Sequence, residues 1–197
     1  MSFKNSSKTL TQLHLSDNDL SNSSIYPWLS NFSSSLVDLD LSSNMLQGPI
    51  PDYAFSNTNS LLHLDLGHNQ IVGPLKSFGN FSSLKTLSLN NNNLTGQLSK
   101  LFFYLSGCSK DKLENLLLND NFLSGLIPDF SVFVSLKELR IGNNILNGTL
   151  PKTATRKLTA ATTKMSCDIR WEALPVIMYW KCNRRSLAVS VLNSLAI

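Results

Sequence analysis

The sequence has few charged and few aromatic residues: 15 % of its 197 residues are Asp, Glu, Lys or Arg, and 9 % are Phe, Trp or Tyr. Its three cysteines (Cys108, Cys167 and Cys182) are too few and too scattered for a disulfide scaffold or a zinc site. No run of about 18 apolar residues is present, so no segment is predicted to cross a bilayer as a helix. P-loop, dinucleotide-binding and kinase motifs are missing as well. We therefore expect a protein that is not an enzyme and that holds no cofactor or metal.

What the sequence has in abundance is leucine, serine and asparagine, which together make up 86 of the 197 positions. The hydrophobic content of 42 % is enough to bury a core and argues against a disordered chain. A bias of this strength points to a repeated unit before it points to any active site.

The repeat is visible when the chain is aligned with itself. The pattern L-x-x-L-x-L-x-x-N-x-L occurs six times in one register, with Ile71 and Ile141 each replacing a leucine. The repeats begin at residues 10, 36, 61, 84, 113 and 136. These spacings lie within the roughly 20–29 residues of a leucine-rich repeat. Side chains alternate along a strand, so each repeat predicts a short strand with its leucines inward, and stacked repeats form a parallel sheet.

Two further columns of residues recur after each strand. An asparagine follows where the chain turns, and its amide can satisfy backbone groups of adjoining repeats in a buried ladder; the set is Asn18, Asn44, Asn69, Asn92, Asn121 and Asn144. A glycine comes four residues later in five repeats: Gly48, Gly73, Gly96, Gly125 and Gly148. Prolines follow several of these glycines and disfavour regular α-helix. We therefore expect turns and 3₁₀ segments on the convex side.

The combined motif L-x-x-L-x-L-x-x-N-x-L-x-G-x-(I/L)-P resembles the plant-specific class of leucine-rich repeats, found in the ectodomains of receptor-like proteins and receptor-like kinases. The segment FYLSGCSKDKLENLLLNDNFLSG resembles one that is common in receptor-like proteins of the disease-resistance type. The resemblance implies a curved solenoid with a parallel β-sheet on its concave face. It also implies a location at the plasma membrane on the extracellular side, and a co-receptor kinase as partner.

The predicted organisation has three parts: an N-terminal lead-in without a cap (1–9), six repeats (10–151) and a basic non-repeat tail (152–197). The N-terminal segment MSFKNSSKTL (residues 1–10) has no apolar core of a secretory signal. The tail holds eight basic and two acidic residues, whereas residues 1–151 hold nine and eleven. We expect the chain to be a fragment of a longer ectodomain. The tail is expected either to cap the open end of the solenoid or to be disordered, and the pairing of Cys167 with Cys182 is left open.

The concave face is the predicted ligand-binding surface, because solenoid curvature creates an extended groove. Its central outward column is His14, Asp40, Asp65, Ser88, Leu117 and Arg140. The neighbouring column is Gln12, Asp38, His63, Thr86, Asn115 and Glu138. Acidic residues gather on the second and third repeats, and Lys137 and Arg140 bring positive charge at the sixth. A peptide or protein of opposite polarity could therefore align along this face; nucleic acid is not expected, because the basic residues are unpatterned.

Six asparagines lie in N-x-S/T sequons, which fit a secreted glycoprotein without establishing one; they are Asn5, Asn22, Asn31, Asn80, Asn93 and Asn147. The favoured function is a non-catalytic ligand-recognition module of a plant cell-surface receptor-like protein, active in defence or developmental signalling. The alternatives are a secreted inhibitor or scaffold of the polygalacturonase-inhibitor type, and a non-functional truncated product.

Overall fold

The repeats stack into a solenoid whose inner surface is one parallel sheet. The computed structural model describes residues 10–32, 34–56, 58–75, 81–148 and 164–165. Six strands of the inner sheet come from the six repeats: β1 (Gln12–His14), β2 (Asp38–Asp40), β4 (His63–Asp65), β6 (Thr86–Ser88), β8 (Asn115–Leu117) and β10 (Glu138–Arg140). The predicted leucine-rich-repeat solenoid with a parallel concave sheet is thereby confirmed.

The leucine pattern explains why each strand faces as it does. The middle residue of every strand from the second repeat onward is a buried leucine, for example Leu64 and Leu87 at 0 % exposure, while the residues on either side face outward. A three-residue strand cannot bury this side chain by itself, so each repeat depends on its neighbours for a core.

The turn out of each inner strand carries a strained residue that the motif did not predict. The residue before each ladder asparagine has a positive φ, between 52° and 58°; these residues are Asp17, Ser43, His68, Asn91, Asp120 and Asn143. Such a conformation is uncommon for residues other than glycine, and Asn and Asp tolerate it best. The prevalence of Asn and Asp in this column is the sequence signal that could have revealed it.

The ladder asparagines bind the turns of adjacent repeats together. Asn92 Nδ2 lies within 3.2 Å of the carbonyl oxygens of Leu66, Leu89 and Asn90, and Asn92 Oδ1 accepts the N–H of Ile71 at 3.0 Å. Asn44, Asn69, Asn121 and Asn144 make the same kind of contacts. One buried amide therefore satisfies backbone groups of two successive repeats.

A second parallel sheet, absent from the sequence analysis, runs along the side of the solenoid. Its strands are β3 (Gln47–Gly48), β5 (Gln70–Gly73), β7 (Asn93–Gln97), β9 (Phe122–Leu126) and β11 (Ile145–Asn147). Each follows a ladder asparagine by one to three residues, and the glycine four residues after that asparagine has φ between 75° and 100°, a conformation strained for any residue with a Cβ. In the inner sheet equivalent positions of successive repeats pair, whereas here the pairing is offset by two residues at each step, as in Val72 with Asn93.

The convex side differs from the expectation of 3₁₀ segments. Among the described residues it holds turns and two α-helices, α1 (Asn22–Phe32) and α2 (Leu98–Cys108). These helices occupy the repeats with the longest spacings, where the extra residues give room for three turns of helix. Proline does not prevent this, since Pro27 lies inside α1.

Two residues of the predicted tail continue the inner sheet. The strand β12 (Lys164–Met165) pairs in parallel with β10, and Leu139 lies opposite Met165. The remaining predictions for the tail, including the cap and the pairing of Cys167 with Cys182, lie outside the described residues, as do the sequons at Asn5 and Asn80 and the side chains of Asn22 and Asn31. The boundary at residue 151 stays a prediction.

Candidate ligand-binding surface

The inner sheet brings the predicted surface residues together in two straight columns. The strand pairs join Gln12, Asp38, His63, Thr86, Asn115 and Glu138 in one column, and His14, Asp40, Asp65, Ser88, Leu117 and Arg140 in the other. Neighbouring strands lie about 4.8 Å apart, so side chains of adjacent repeats in a column are within reach of one ligand group.

Asp40 and Asp65 are neighbours in the central column, and local hydrogen bonds orient both carboxylates. Asp40 Oδ1 accepts from the backbone N–H of Ser42 at 2.9 Å and from its hydroxyl at 2.7 Å. Asp65 Oδ1 accepts the N–H of Gly67 at 2.8 Å. Within the described part of the chain, the Oδ2 atoms of the two aspartates have no hydrogen-bond partner. The two carboxylates therefore present one oriented oxygen each to a ligand.

The negative charge at the β1, β2 and β4 end of the concave sheet is only weakly neutralised by basic side chains. Asp38 Oδ2 lies 3.4 Å from His14 Nε2, a contact that becomes an ion pair only when the imidazole is protonated. The described residues of β1, β2 and β4 include no lysine or arginine. Asp38, Asp40 and Asp65 thus form a patch of negative charge, and His63 lies beside it on β4.

The opposite end of the face is polar but nearly neutral. Both basic residues of the predicted charge gradient are paired. Arg140 Nε and Nη2 lie 2.6 Å from Glu138 Oε1 of the same strand, and Lys137 contacts Glu114 of the preceding repeat. Asn115 Nδ2 donates to Thr86 Oγ1 at 3.2 Å. The candidate surface is therefore charged mainly on β2 and β4.

Ser88 and Leu117 differ from the other members of the central column. Ser88 is only 2 % exposed, and its hydroxyl donates to Asn90 Oδ1 at 2.7 Å. Leu117 is half-buried and is the only apolar side chain of that column. Ser88 has little surface to offer a ligand, whereas Leu117 provides an apolar contact in the middle of the sheet.

The structure also contains a row of ion pairs beside the strands that the sequence analysis did not predict. The Glu114 carboxylate contacts Lys137 through Oε2 and lies 3.7 Å from Lys85 Nζ through Oε1, so it joins three successive repeats. The hydrogen bond from Lys137 is the main cause that lowers the pKa of Glu114 below its ordinary value, with the charges of Lys137 and Lys85 acting in the same direction. The repeat spacing would have revealed this row, because the three residues share one repeat position.

Side chains at the rim, where the inner strands end, form a second network. The amides of Asn90 and Asn91 each lie 3.2 Å from His68 Nε2, so this nitrogen can accept from them when the ring is neutral. On the next turns Asp120 accepts from Asn119 at 2.6 Å and from Asn143 at 2.7 Å. The histidines do not converge, and no group of three or more His, Cys, Asp or Glu side chains suited to a metal occurs among the described residues.

Comparison with known proteins identifies the class of this chain. A family described as "Leucine rich repeat" matches residues 34–94, and a second family of the same description matches residues 6–26. The receptor-like protein EIX2 of Solanum lycopersicum is 44 % identical over 141 residues, which cover 71 % of this chain and 14 % of that protein. This chain thus spans about one seventh of the length of that relative.

Solved structures agree with this result. The crystal structure of pollen receptor kinase 3 superposes with a TM-score of 0.70 at 26 % identity, covering 94 % of this chain and 78 % of that one. The Arabidopsis receptor kinase HAESA, solved in complex with the peptide hormone IDA and the co-receptor SERK1, has a TM-score of 0.56 at 24 % identity, covering 79 % of this chain and 29 % of that one; the likeness is one of fold.

The chain is a leucine-rich-repeat protein. Within that class it belongs with the plant receptor-like proteins and receptor kinases, whose repeat segments it matches. Among the described residues, no helix combines the length and the apolar character needed to cross a membrane.

Proposed function

We propose that this chain is a non-catalytic recognition segment of a plant cell-surface receptor-like protein, and that its concave sheet binds a peptide or protein ligand through a basic group. The observation that carries the proposal is the pair of oriented carboxylates of Asp40 and Asp65 on adjacent strands. A guanidinium or ammonium group placed between them would donate a hydrogen bond to each Oδ2 atom, and such charge-assisted bonds are about twice as strong as neutral ones.

The charge distribution favours one orientation of the ligand. Negative charge is concentrated on β2 and β4, whereas Arg140 is already paired with Glu138. A ligand would therefore place its basic residue over the second and third repeats and its apolar part toward Leu117. Signalling would then pass through a partner kinase, as in the receptor-like proteins that this chain resembles.

A random linear peptide library displayed on phage and selected against the immobilised full chain tests this proposal. Selected peptides should be enriched in Arg or Lys and should be displaced by added salt. The double variant Asp40→Asn/Asp65→Asn should bind them at least about tenfold more weakly, the equivalent of about 1.4 kcal/mol. Asp111→Asn is the control: it removes one negative charge in the turn after α2, whereas the double variant removes two from the concave sheet, and it should bind as the parent does.

Two results would refute the proposal. One is a set of selected peptides without basic residues whose binding ignores salt. The other is binding that falls equally in the Asp111→Asn variant, since this would reflect net charge and not the concave site.

A further inference from the structure

The outer face of the second sheet carries a group of exposed apolar side chains. Four of the ten large apolar residues that are exposed among the described positions lie there: Val72 at 38 %, Phe122 at 51 %, Leu126 at 64 % and Ile145 at 55 %. Single exposed apolar residues are ordinary, but a group on one sheet face marks a surface that something else covers.

Two of the sequons lie on the same outer face of the second sheet. Asn93 and Thr95 of the first sequon are both exposed on β7, with buried Leu94 between them, as alternation along a strand requires. Asn147 of the second sequon is exposed on β11, two residues after Ile145 and on the same side of that strand.

The strand pairing places these sequons directly against the apolar group. Asn93 pairs with Val72, and Thr95 pairs with Phe122. Asn147 pairs with Leu126. Since paired residues of parallel strands have neighbouring side chains on one face, all four apolar residues lie beside a sequon.

The run of four asparagines shows that Asn93 differs from its neighbours. The amides of Asn90 and Asn91 contact His68, and the amide of Asn92 is buried in the ladder. Asn93 is exposed, and within the described residues its side chain makes no hydrogen bond. The same holds for Asn147. Both Nδ2 atoms can therefore carry a large substituent without breaking a contact of the fold.

We propose that Asn93 and Asn147 are N-glycosylated and that their glycans cover the apolar outer face of the second sheet. The proposal rests on the proposed function in one respect: the chain must pass through the secretory pathway. A glycan is bulky and solubilising, and the C–H faces of its sugars can pack against Phe122 and Leu126 while its hydroxyl groups remain in water. The concave sheet then remains the open surface for a ligand.

The modification is a group transfer with a balanced set of bonds. The Nδ2 atom of asparagine displaces a lipid diphosphate from C1 of the first sugar of a lipid-linked oligosaccharide. The C1–O bond to the diphosphate breaks, an N–C1 bond forms, and Nδ2 gives up one proton to the medium. Nothing is oxidised or reduced, and a transferase of the secretory pathway supplies the catalyst.

The first experiment measures occupancy. The full chain is secreted from mammalian cells behind an added leader, and each sequon is scored by mass spectrometry after enzymatic removal of glycans, which converts the modified Asn to Asp. Thr95→Val and Asn147→Gln should each lower the mass of the secreted chain by one glycan, and the double variant by two. Thr95→Ser keeps the sequon and should keep the glycan, which controls for an effect of the substitution on folding.

The second experiment asks whether the glycans cover the apolar face. Removal of glycans from the native chain should increase the fluorescence of a dye that binds exposed apolar surface. That increase should be lost in Phe122→Ser/Leu126→Ser and kept in Phe103→Ser, which changes an exposed apolar residue of α2 and not one of the second sheet. An unchanged signal in the parent would overturn the covering role, and unmodified Asn93 and Asn147 in the secreted chain would overturn the proposal entirely.

These outcomes are independent of ligand binding. If the acidic site on the concave face fails its test while both asparagines carry glycans, the proposed ligand chemistry is wrong and the glycan assignment stands. If the chain is secreted without glycans at these positions and still binds basic peptides, the glycan assignment is wrong and the proposed ligand chemistry stands.

Discussion

The first repeat and the inner repeats share one sequence motif but differ in what the motif achieves. Asn18 is exposed, and among the described residues its amide donates to carbonyl groups of its own repeat alone, those of Leu15 and Ser16. Asn92 is 5 % exposed and bonds to two repeats. Likewise Leu13 is half-buried whereas Leu87 is fully buried. The motif therefore stabilises the fold only where another repeat is stacked in front of it.

The largest expected effect comes from the leucine core. Leu87→Ala should destabilise the chain by about 2–5 kcal/mol, because it removes buried methyl groups and leaves a cavity. Leu13→Ala, at the equivalent position of the first repeat, should cost roughly 1 kcal/mol, because less apolar surface is lost. Urea unfolding followed by circular dichroism measures both. Equal losses would mean that burial does not set the difference between these repeats.

The asparagine ladder should show the same contrast at a smaller scale. Asn92→Leu leaves the N–H of Ile71 and the carbonyl of Leu66 without their partner in a buried turn, at a cost of about 1–3 kcal/mol. Asn18→Leu breaks only contacts that water can replace and should change stability by less than about 0.5 kcal/mol. Thermal unfolding gives the melting temperature of each variant. Similar decreases in both would show that the asparagine ladder does not connect one repeat to the next.

The glycine found four residues after the ladder asparagine also distinguishes the later repeats from the first. The first repeat has Asn22 at this position, and α1 begins there. Gly96 has φ +100°, and a Cβ would lie 3.1 Å from Pro74 Cβ. Gly96→Ala should therefore cost about 1–3 kcal/mol in backbone strain. Gly107→Ala in α2 meets no atom within 4 Å and should be neutral or stabilising, by up to about 0.5–1 kcal/mol. Chemical unfolding of both variants measures the contrast, and a loss of stability in Gly107→Ala as large as that in Gly96→Ala would contradict it.

The smallest expected effect concerns the row of ion pairs, which exists only from the fourth repeat onward. Because the folded-state pKa of Glu114 is lowered, its ionised form stabilises the fold above the ordinary value of 4.5, and this contribution is lost as the pH falls through the folded-state pKa. The melting temperature of Glu114→Gln should lie below that of the parent at neutral pH, and the two should converge in acid. A constant difference from neutral pH to about pH 3 would show that the carboxylate charge is not involved.

The sequence predicted the repeat register, the inward leucines and the outward columns because these depend only on spacing within one repeat. It missed the second sheet, since Gln70–Gly73 and Phe122–Leu126 share only one buried apolar position, that of Ile71 and Leu123, and are held by pairing to adjacent repeats. It also placed Arg140 as the basic end of a charge gradient, whereas the distance to Glu138 that neutralises it is a property of rotamers. It also placed Ser88 on the ligand-binding surface, although this residue is buried and its hydroxyl donates to Asn90.

What the sequence alone determined about this protein is its class: a chain of stacked leucine-rich repeats with one strand, one buried turn and one outward face in each. Only the tertiary structure decided which outward residues act together. The inner sheet pairs equivalent positions and so places Asp40 beside Asp65, whereas the second sheet pairs positions offset by two residues and so places Asn93 beside Val72 and Thr95 beside Phe122. The motif gives the same position number to residues of every repeat, but the stagger between strands, which sets their neighbours in space, arises only from the stacking of one repeat on the next.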